Sequence, residues 1–166
     1  MTEAPASRSK SRETDVRTGA VLPLDVVHMD TLHLSRDKDG KLMAVDHGGD
    51  HPGIVIIDEI SNDIMYGPVP DRKWGRVKDH LVSFGGARDA IRKCVCDRAP
   101  EFKKALNELN IAPFGTTPGR STSHAKAERA NRTCLEAGRI GLLQSGFSIE
   151  WAPIAITGNL WRRRLK

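Results

Sequence analysis

The chain has 166 residues, 39% hydrophobic and 28% charged, with 26 Lys and Arg against 21 Asp and Glu for a formal net charge of +5. That length fills one ordinary core and would leave two full domains marginal, while the apolar share excludes an extended disordered chain. No apolar run approaches the roughly 20 residues of a membrane span. The opening MTEAPASRSKSRETD lacks the apolar centre of a secretory signal, and three cysteines without paired C-x-x-C spacing exclude a disulfide or zinc framework. The expected setting is intracellular, away from membranes, and the positive balance favours polyanionic partners.

Residues 1–22 are rich in Ser, Thr, Arg and Glu without apolar periodicity and read as a flexible basic leader. The core is expected over 23–157, with 158–166 as a basic C-terminal tail. The clusters SRSKSR (7–12) and WRRRLK (161–166) suit either nucleic acid phosphates or solvated ends. VVHMDTLHL (26–34) reads as a first strand carrying Asp30 near its middle. The Gly- and Pro-punctuated stretch that follows is a long hairpin connection with room for a short strand at KLMAV. Its DHGGDH (46–51) suits a hairpin tip better than a metal site. GIVIIDEI (53–60) is an apolar strand, SND a tight turn, and IMYGPVP (64–70) an edge strand by its prolines.

The second half alternates in type. RKWGRVKDHLVSFGG (72–86) spaces Trp74, Val77, Leu81 and Phe84 as a helix stopped by glycines. AIRKCVC (90–96) is a buried strand whose Cys94 and Cys96 share one face, and it ends at Asp97. Pro100 opens a helix with an apolar stripe of Phe102, Ala105, Leu106 and Leu109. IAPFGT (111–116) is a fifth strand. A helix then runs from about Ser123 to Ser145, capped by Ser121 or Ser123 and stopped by Gly146, and a short helix follows near 149–157. The expected fold is α/β: a five-stranded mixed sheet in the order βββαβαβα, flanked by helices.

Carboxylates are the chemistry-bearing groups in this layout. Asp30 lies on a central strand, and Asp97 closes a strand that should lie beside it. On the helix that SHAKAERANR (123–132) opens, Ala127, Ala130, Cys134, Ala137 and Gly141 form a small-residue stripe that allows close approach to the sheet, and Glu128 flanks it. Three gathered carboxylates repel one another unless a cation lies between them, and their hard oxygens select Mg²⁺ or Mn²⁺. Two ions, expected with DNA bound, would suit phosphodiester displacement, with Lys126, Arg129 and Arg132 on the DNA backbone. Solvated surface charge is the competing reading of these acids. His28 would orient Asp30, touch DNA or simply pack; Asp58 would support the site or cap its turn; Asn131 is a further supporting candidate. Ser123 and His124 are adjacent on a helix start and do not face each other.

The segment HAKAERANRTCLEAGRIGLLQSGF resembles the Glu-bearing helix of copia-type retrotransposon integrases, whose pattern runs close to N-G-V-A-E-R-x-N-R-T-L-L-E-x-A-R-x-L-L. VVHMD is similar to that family's His-x-Asp strand, IVIIDEISNDIMYGPVPDRK to its second hairpin, and CVCDRAPEF to its Asp-Asn-Gly-Gly-Glu-Phe segment. The resemblance covers residues 25 to about 156 and implies a ribonuclease H-like fold. It also implies a D,D,E triad of Asp30, Asp97 and Glu128 that binds divalent metal for DNA strand transfer. Self-association and a nuclear location would accompany that activity. Two departures stand out: the spacing from Asp97 to Glu128 is shorter than the family's, and Arg98, Ala99 and Pro100 replace Asn-Gly-Gly. The rival readings are a metal-dependent nuclease on the same fold and a decayed or domesticated core that binds nucleic acid or protein without catalysis.

Overall fold

Alternation along β1 (Val26–Arg36) decides how the molecule is layered. Successive strand residues point to opposite faces of a sheet. Val27 and Met29 join one core with Ile54, Ile56, Val77, Leu81, Cys94 and Phe102, whereas Leu32 and Leu34 join a second with Val55, Tyr66, Ala130, Cys134 and Ile156. A strand buried on both faces must be central, and β1 is. A computed structural model describes residues 20, 22–45, 51–71, 73–86, 90–115 and 125–164 of the chain.

The five-strand path runs β4-β3-β1-β5-β6, built from β3 (His51–Asp58), β4 (Ile64–Pro68), β5 (Lys93–Cys96) and β6 (Ala112–Gly115) around β1. A sixth short strand, β2 (Leu42–Val45), pairs antiparallel with the far half of β1, where the sequence left room for it. β1, β3 and β4 are antiparallel neighbours, and β1 pairs β5, and β5 pairs β6, in parallel. The parallel pairs need crossovers, and helices supply them. α1 (Trp74–Gly85) buries Val77 and Leu81 and stops at Gly86, whose φ of 71° places it in the left-handed region. α2 (Pro100–Glu108) starts on its proline and buries Phe102, Ala105 and Leu106, as the stripe required. Both helices cover the Met29 face.

α3 (Ala125–Ser145) and α4 (Ala152–Arg164), joined through a 3₁₀ turn at Ile149–Trp151, cover the Leu32 face. α3 buries Ala127, Ala130, Cys134 and Gly138. The expected stripe through Ala137 and Gly141 therefore divides. Its first half seats on the sheet, while Ala137 and Gly141 turn toward α4, where Asn159 Nδ2 donates to the Ala137 carbonyl at 3.0 Å. A Cβ on Gly138 would lie 2.8 Å from Leu42 Cδ2 and 2.9 Å from Ile156 Cγ1, so only glycine lets strand, α3 and α4 meet there. α4 runs on past residue 157, where the sequence reading ended it. Ala152, Ile156 and Leu160 continue one buried stripe at four-residue spacing, which carries Trp161, Arg162 and Arg163 onto helix and not into a tail. Most of the expected leader, most of DHGGDH, and Ser121, Ser123 and His124 lie outside the described residues. Among the described residues no helix is long and apolar enough to cross a membrane.

Candidate functional site

β1 presents His28 and Asp30 on the same face as Leu32 and Leu34, the face covered by α3. Asp30 is partly buried. Its Oδ1 accepts from the Thr31 backbone N–H at 2.8 Å, and its Oδ2 accepts from Asn131 Nδ2 on α3, also at 2.8 Å. β1 and β5 pair with Val26 opposite Lys93, Val27 opposite Cys94 and His28 opposite Val95. Continued by two residues, that register sets Asp97 opposite Asp30, one residue beyond the end of β5 and on the same face. Strands in such a pair lie roughly 4.8 Å apart. Asp97 is exposed, and its Oδ1 accepts from the Ala99 N–H at 3.2 Å, a side-chain turn that leads into α2 at Pro100. Arg98, Ala99 and Pro100 thus form the entrance to a helix.

Glu128 is exposed on the first turn of α3, one helical turn before Asn131. Helix geometry puts it about 60° around and 4.5 Å along the axis from the residue that touches Asp30. Lys126 is about 200° from Glu128 and faces the β3 flank, so Glu128 lies on the β5 flank, toward Asp97. The register thus relates Asp30 to Asp97, and helix geometry alone relates Glu128 to them. Among the described residues, no group of three or more His, Cys, Asp or Glu side chains is drawn tightly enough to hold a metal ion. The donor chemistry nonetheless suits a hard cation. Alongside the three carboxylates, the buried Asn131 Oδ1 has no hydrogen-bond partner among the described residues, which leaves a further oxygen acceptor beside Asp30.

The structure decides three sequence assignments. Lys126 was expected on DNA, but its Nζ donates to the Glu59 backbone carbonyl and lies 3.6 Å from the Glu59 carboxylate, with the side chain only 14% exposed. Of the two readings of Asp58, support for the site or a cap on its turn, the second holds. Asp58 is buried and binds its own turn: Oδ1 accepts from Leu24 N at 2.6 Å, and Oδ2 accepts from Ile60 N and Ser61 N at 3.1 and 2.5 Å. Strand end and turn donors converge on it because β3 stops there. His28 is buried and hydrogen-bonds through Nε2 to the Glu59 carboxylate, not to Asp30. Arg129 and Arg132 remain exposed, Arg129 with Nε on the Ala125 carbonyl at 3.1 Å.

Glu59 was missed. It directly follows Asp58, and nothing in its local pattern marks a carboxylate that returns under α3. Burial alone would raise its pKa, but the His28 hydrogen bond and charge, with the Lys126 ammonium, outweigh burial and hold it below the ordinary value. Desolvation pulls the Lys126 pKa down despite Glu59. Cys94 and Cys96 are buried in the Met29-side core, as their shared face required.

No protein-family model matches the chain, and no curated protein matches it. Solved structures do. One is a simian T-cell lymphotropic virus intasome in complex with PP2A regulatory subunit B56 gamma, at 17% identity and a TM-score of 0.63 over 86% of this chain. This chain spans about half (49%) of that one. The HTLV-2 integrase catalytic core domain in complex with magnesium, in a trimeric form, matches at 17% identity and TM-score 0.58, covering 85% of each chain. The BIV integrase catalytic core domain matches at 16% identity and TM-score 0.55 over 81% of each. The fold is therefore the ribonuclease H-like fold of integrase catalytic cores.

Proposed function

We propose that this chain is an integrase catalytic core of the copia retrotransposon type, joining a DNA 3′-OH to a target strand by phosphodiester displacement. What supports the reading most is the register of β1 and β5, which makes Asp30 and Asp97 neighbours beneath a helix that touches Asp30 through Asn131. Asp30, Asp97 and Glu128 would hold Mg²⁺ or Mn²⁺, and the cations, when bound, assist attack by one oxygen and departure of the other. The chain's own groups do the rest. Asn131 holds the Asp30 carboxylate in one orientation, and the small residues of α3 let that helix, from whose first turn Glu128 would reach the site, seat closely on the sheet. Arg129 and Arg132 meet the DNA backbone, where each neutralised phosphate adds salt-dependent affinity. Self-association and a nuclear location belong to the same proposal; the dimeric and trimeric forms named for the HTLV-2 core support the first.

A Mn²⁺-dependent assay on a pre-cleaved, labelled duplex tests the reading. Joined products support an integrase, shortened strands alone a metal-dependent nuclease, and neither product the non-catalytic alternative. That alternative, a decayed or domesticated core that binds nucleic acid or a protein, is favoured by one observation: Asp97 and Glu128 are exposed and no tight acidic cluster forms among the described residues.

A further inference from the structure

At the end of β3 the chain turns, and the Glu59 side chain meets two partners beneath α3. His28 Nε2 bonds its carboxylate, and Lys126 bonds its carbonyl and approaches its carboxylate. The His28, Glu59 and Lys126 side chains are only 8%, 18% and 14% exposed. Holding a lysine in one rotamer costs side-chain entropy, and desolvating its ammonium costs more. A buried pair of this kind is a weak source of stability, since apolar side chains of similar volume serve as well. What it supplies is direction.

α3 needs direction. Its fully buried residues, Ala127, Ala130, Cys134 and Gly138, are all small, and the larger Leu135 and Leu142 pack only farther along, so the first turns of the helix have little apolar bulk to set their roll. Two polar tethers act near its start: Lys126 to Glu59 on the β3 flank, and Asn131 to Asp30 on the other. They are separated by about 7.5 Å along the axis and about 140° around it; Glu128 lies between them along the axis and about 60° beyond Asn131 around it. A carboxylate roughly 6 Å from the axis moves about 1.5 Å for a roll of about 15°. A misplacement near 1 Å can cost about 100-fold in rate.

We infer that His28, Glu59 and Lys126 form a positioning device that fixes the roll of α3 and so sets the direction of Glu128 relative to the Asp30 and Asp97 pair. Lys126 thereby serves the site from inside the fold and is not a DNA contact. The inference rests on the reading of those three carboxylates as the metal-holding set.

The test uses the whole chain and the variants Lys126→Met, Glu59→Gln, their double, and the conservative Lys126→Arg. Calorimetric Mn²⁺ titration should show affinity weakened about 10- to 100-fold in both single variants, as for other residues that orient metal ligands. The double should be no worse than the poorer single, because the pair acts as one unit, and Lys126→Arg should restore most of the affinity. In the metal-free protein, amide hydrogen exchange should quicken at 125–131 in both singles and stay unchanged in the rest of α3. DNA affinity and its salt slope, read by fluorescence anisotropy, should not move. Wild type that binds Mn²⁺ alongside variants that bind it within twofold overturns the positioning role alone. So does a salt slope reduced in Lys126→Met but not in Glu59→Gln, which makes Lys126 a phosphate contact, or exchange quickened evenly along α3. A wild-type chain without Mn²⁺ affinity overturns the carboxylate reading and the positioning role together.

Discussion

Replacing Asp58 by Asn changes one charged atom group and little volume, and it should lower stability by about 3 kcal/mol while leaving Mn²⁺ affinity alone. The carboxylate holds three backbone donors: Leu24 N on Oδ1, and Ile60 N and Ser61 N on Oδ2. An amide offers one acceptor oxygen. Whichever way it turns, either the Leu24 N–H or both turn N–H groups face an NH₂, at about 1–3 kcal/mol for each unmade buried bond. The bonds that remain lose their charge assistance, roughly half their strength. For a chain of this size each kcal/mol shifts Tm by about 2–4 °C, so the midpoint should fall by roughly 6–12 °C. Thermal unfolding followed by circular dichroism at neutral pH, with Mn²⁺ titration well below the transition, measures both quantities. A midpoint within about 2 °C of the parent would refute the turn-binding role. Weakened Mn²⁺ affinity at undiminished stability would return Asp58 to the site.

Glu128→Gln should abolish Mn²⁺-dependent joining and leave the urea midpoint near the parent's, because an exposed helix position contributes within about 0.5 kcal/mol. Gly138→Ala should cost about 1–2 kcal/mol in urea unfolding, since its new methyl meets Leu42 and Ile156 at under 3 Å and helix propensity repays only part. Burial pushes the Cys134 thiol up to about 12, and the Cys96 hydrogen bond with burial raises that of Cys94. Both should resist alkylation at pH 8 in the folded chain and react fully in denaturant; fast native labelling would contradict the packing. Glu59 titrates below its ordinary value of 4.5, so its contribution to stability is complete above that pH and is lost as pH falls through the lower folded value. The acid limb of unfolding should therefore flatten in Glu59→Gln, and an identical acid limb would contradict the ion-pair assignment.

The sequence by itself determined the elements and their faces. β1 was legible because alternation from Val26 to Leu34 is strong, and α2 because Pro100 and the Phe102 stripe define start and face together. Asp30, Asp97 and Glu128 stood out by placement at a strand centre, a strand end and a helix flank, and by likeness to a known family. These signals are local: periods of two and 3.6 residues, with Pro and Gly as punctuation. Only the tertiary structure decided which polar groups meet. Lys126 turned inward because it reaches Glu59, 67 residues earlier in the chain, and Asn131 met Asp30 across 101 positions. Such pairs follow from how α3 seats on the sheet. The length of α4 was settled the same way, by Ile156 and Leu160 finding a buried surface on elements distant in sequence. Periodicity reports which face of an element is apolar. The partner of a polar side chain is chosen by packing, and burial then requires that the partner be found.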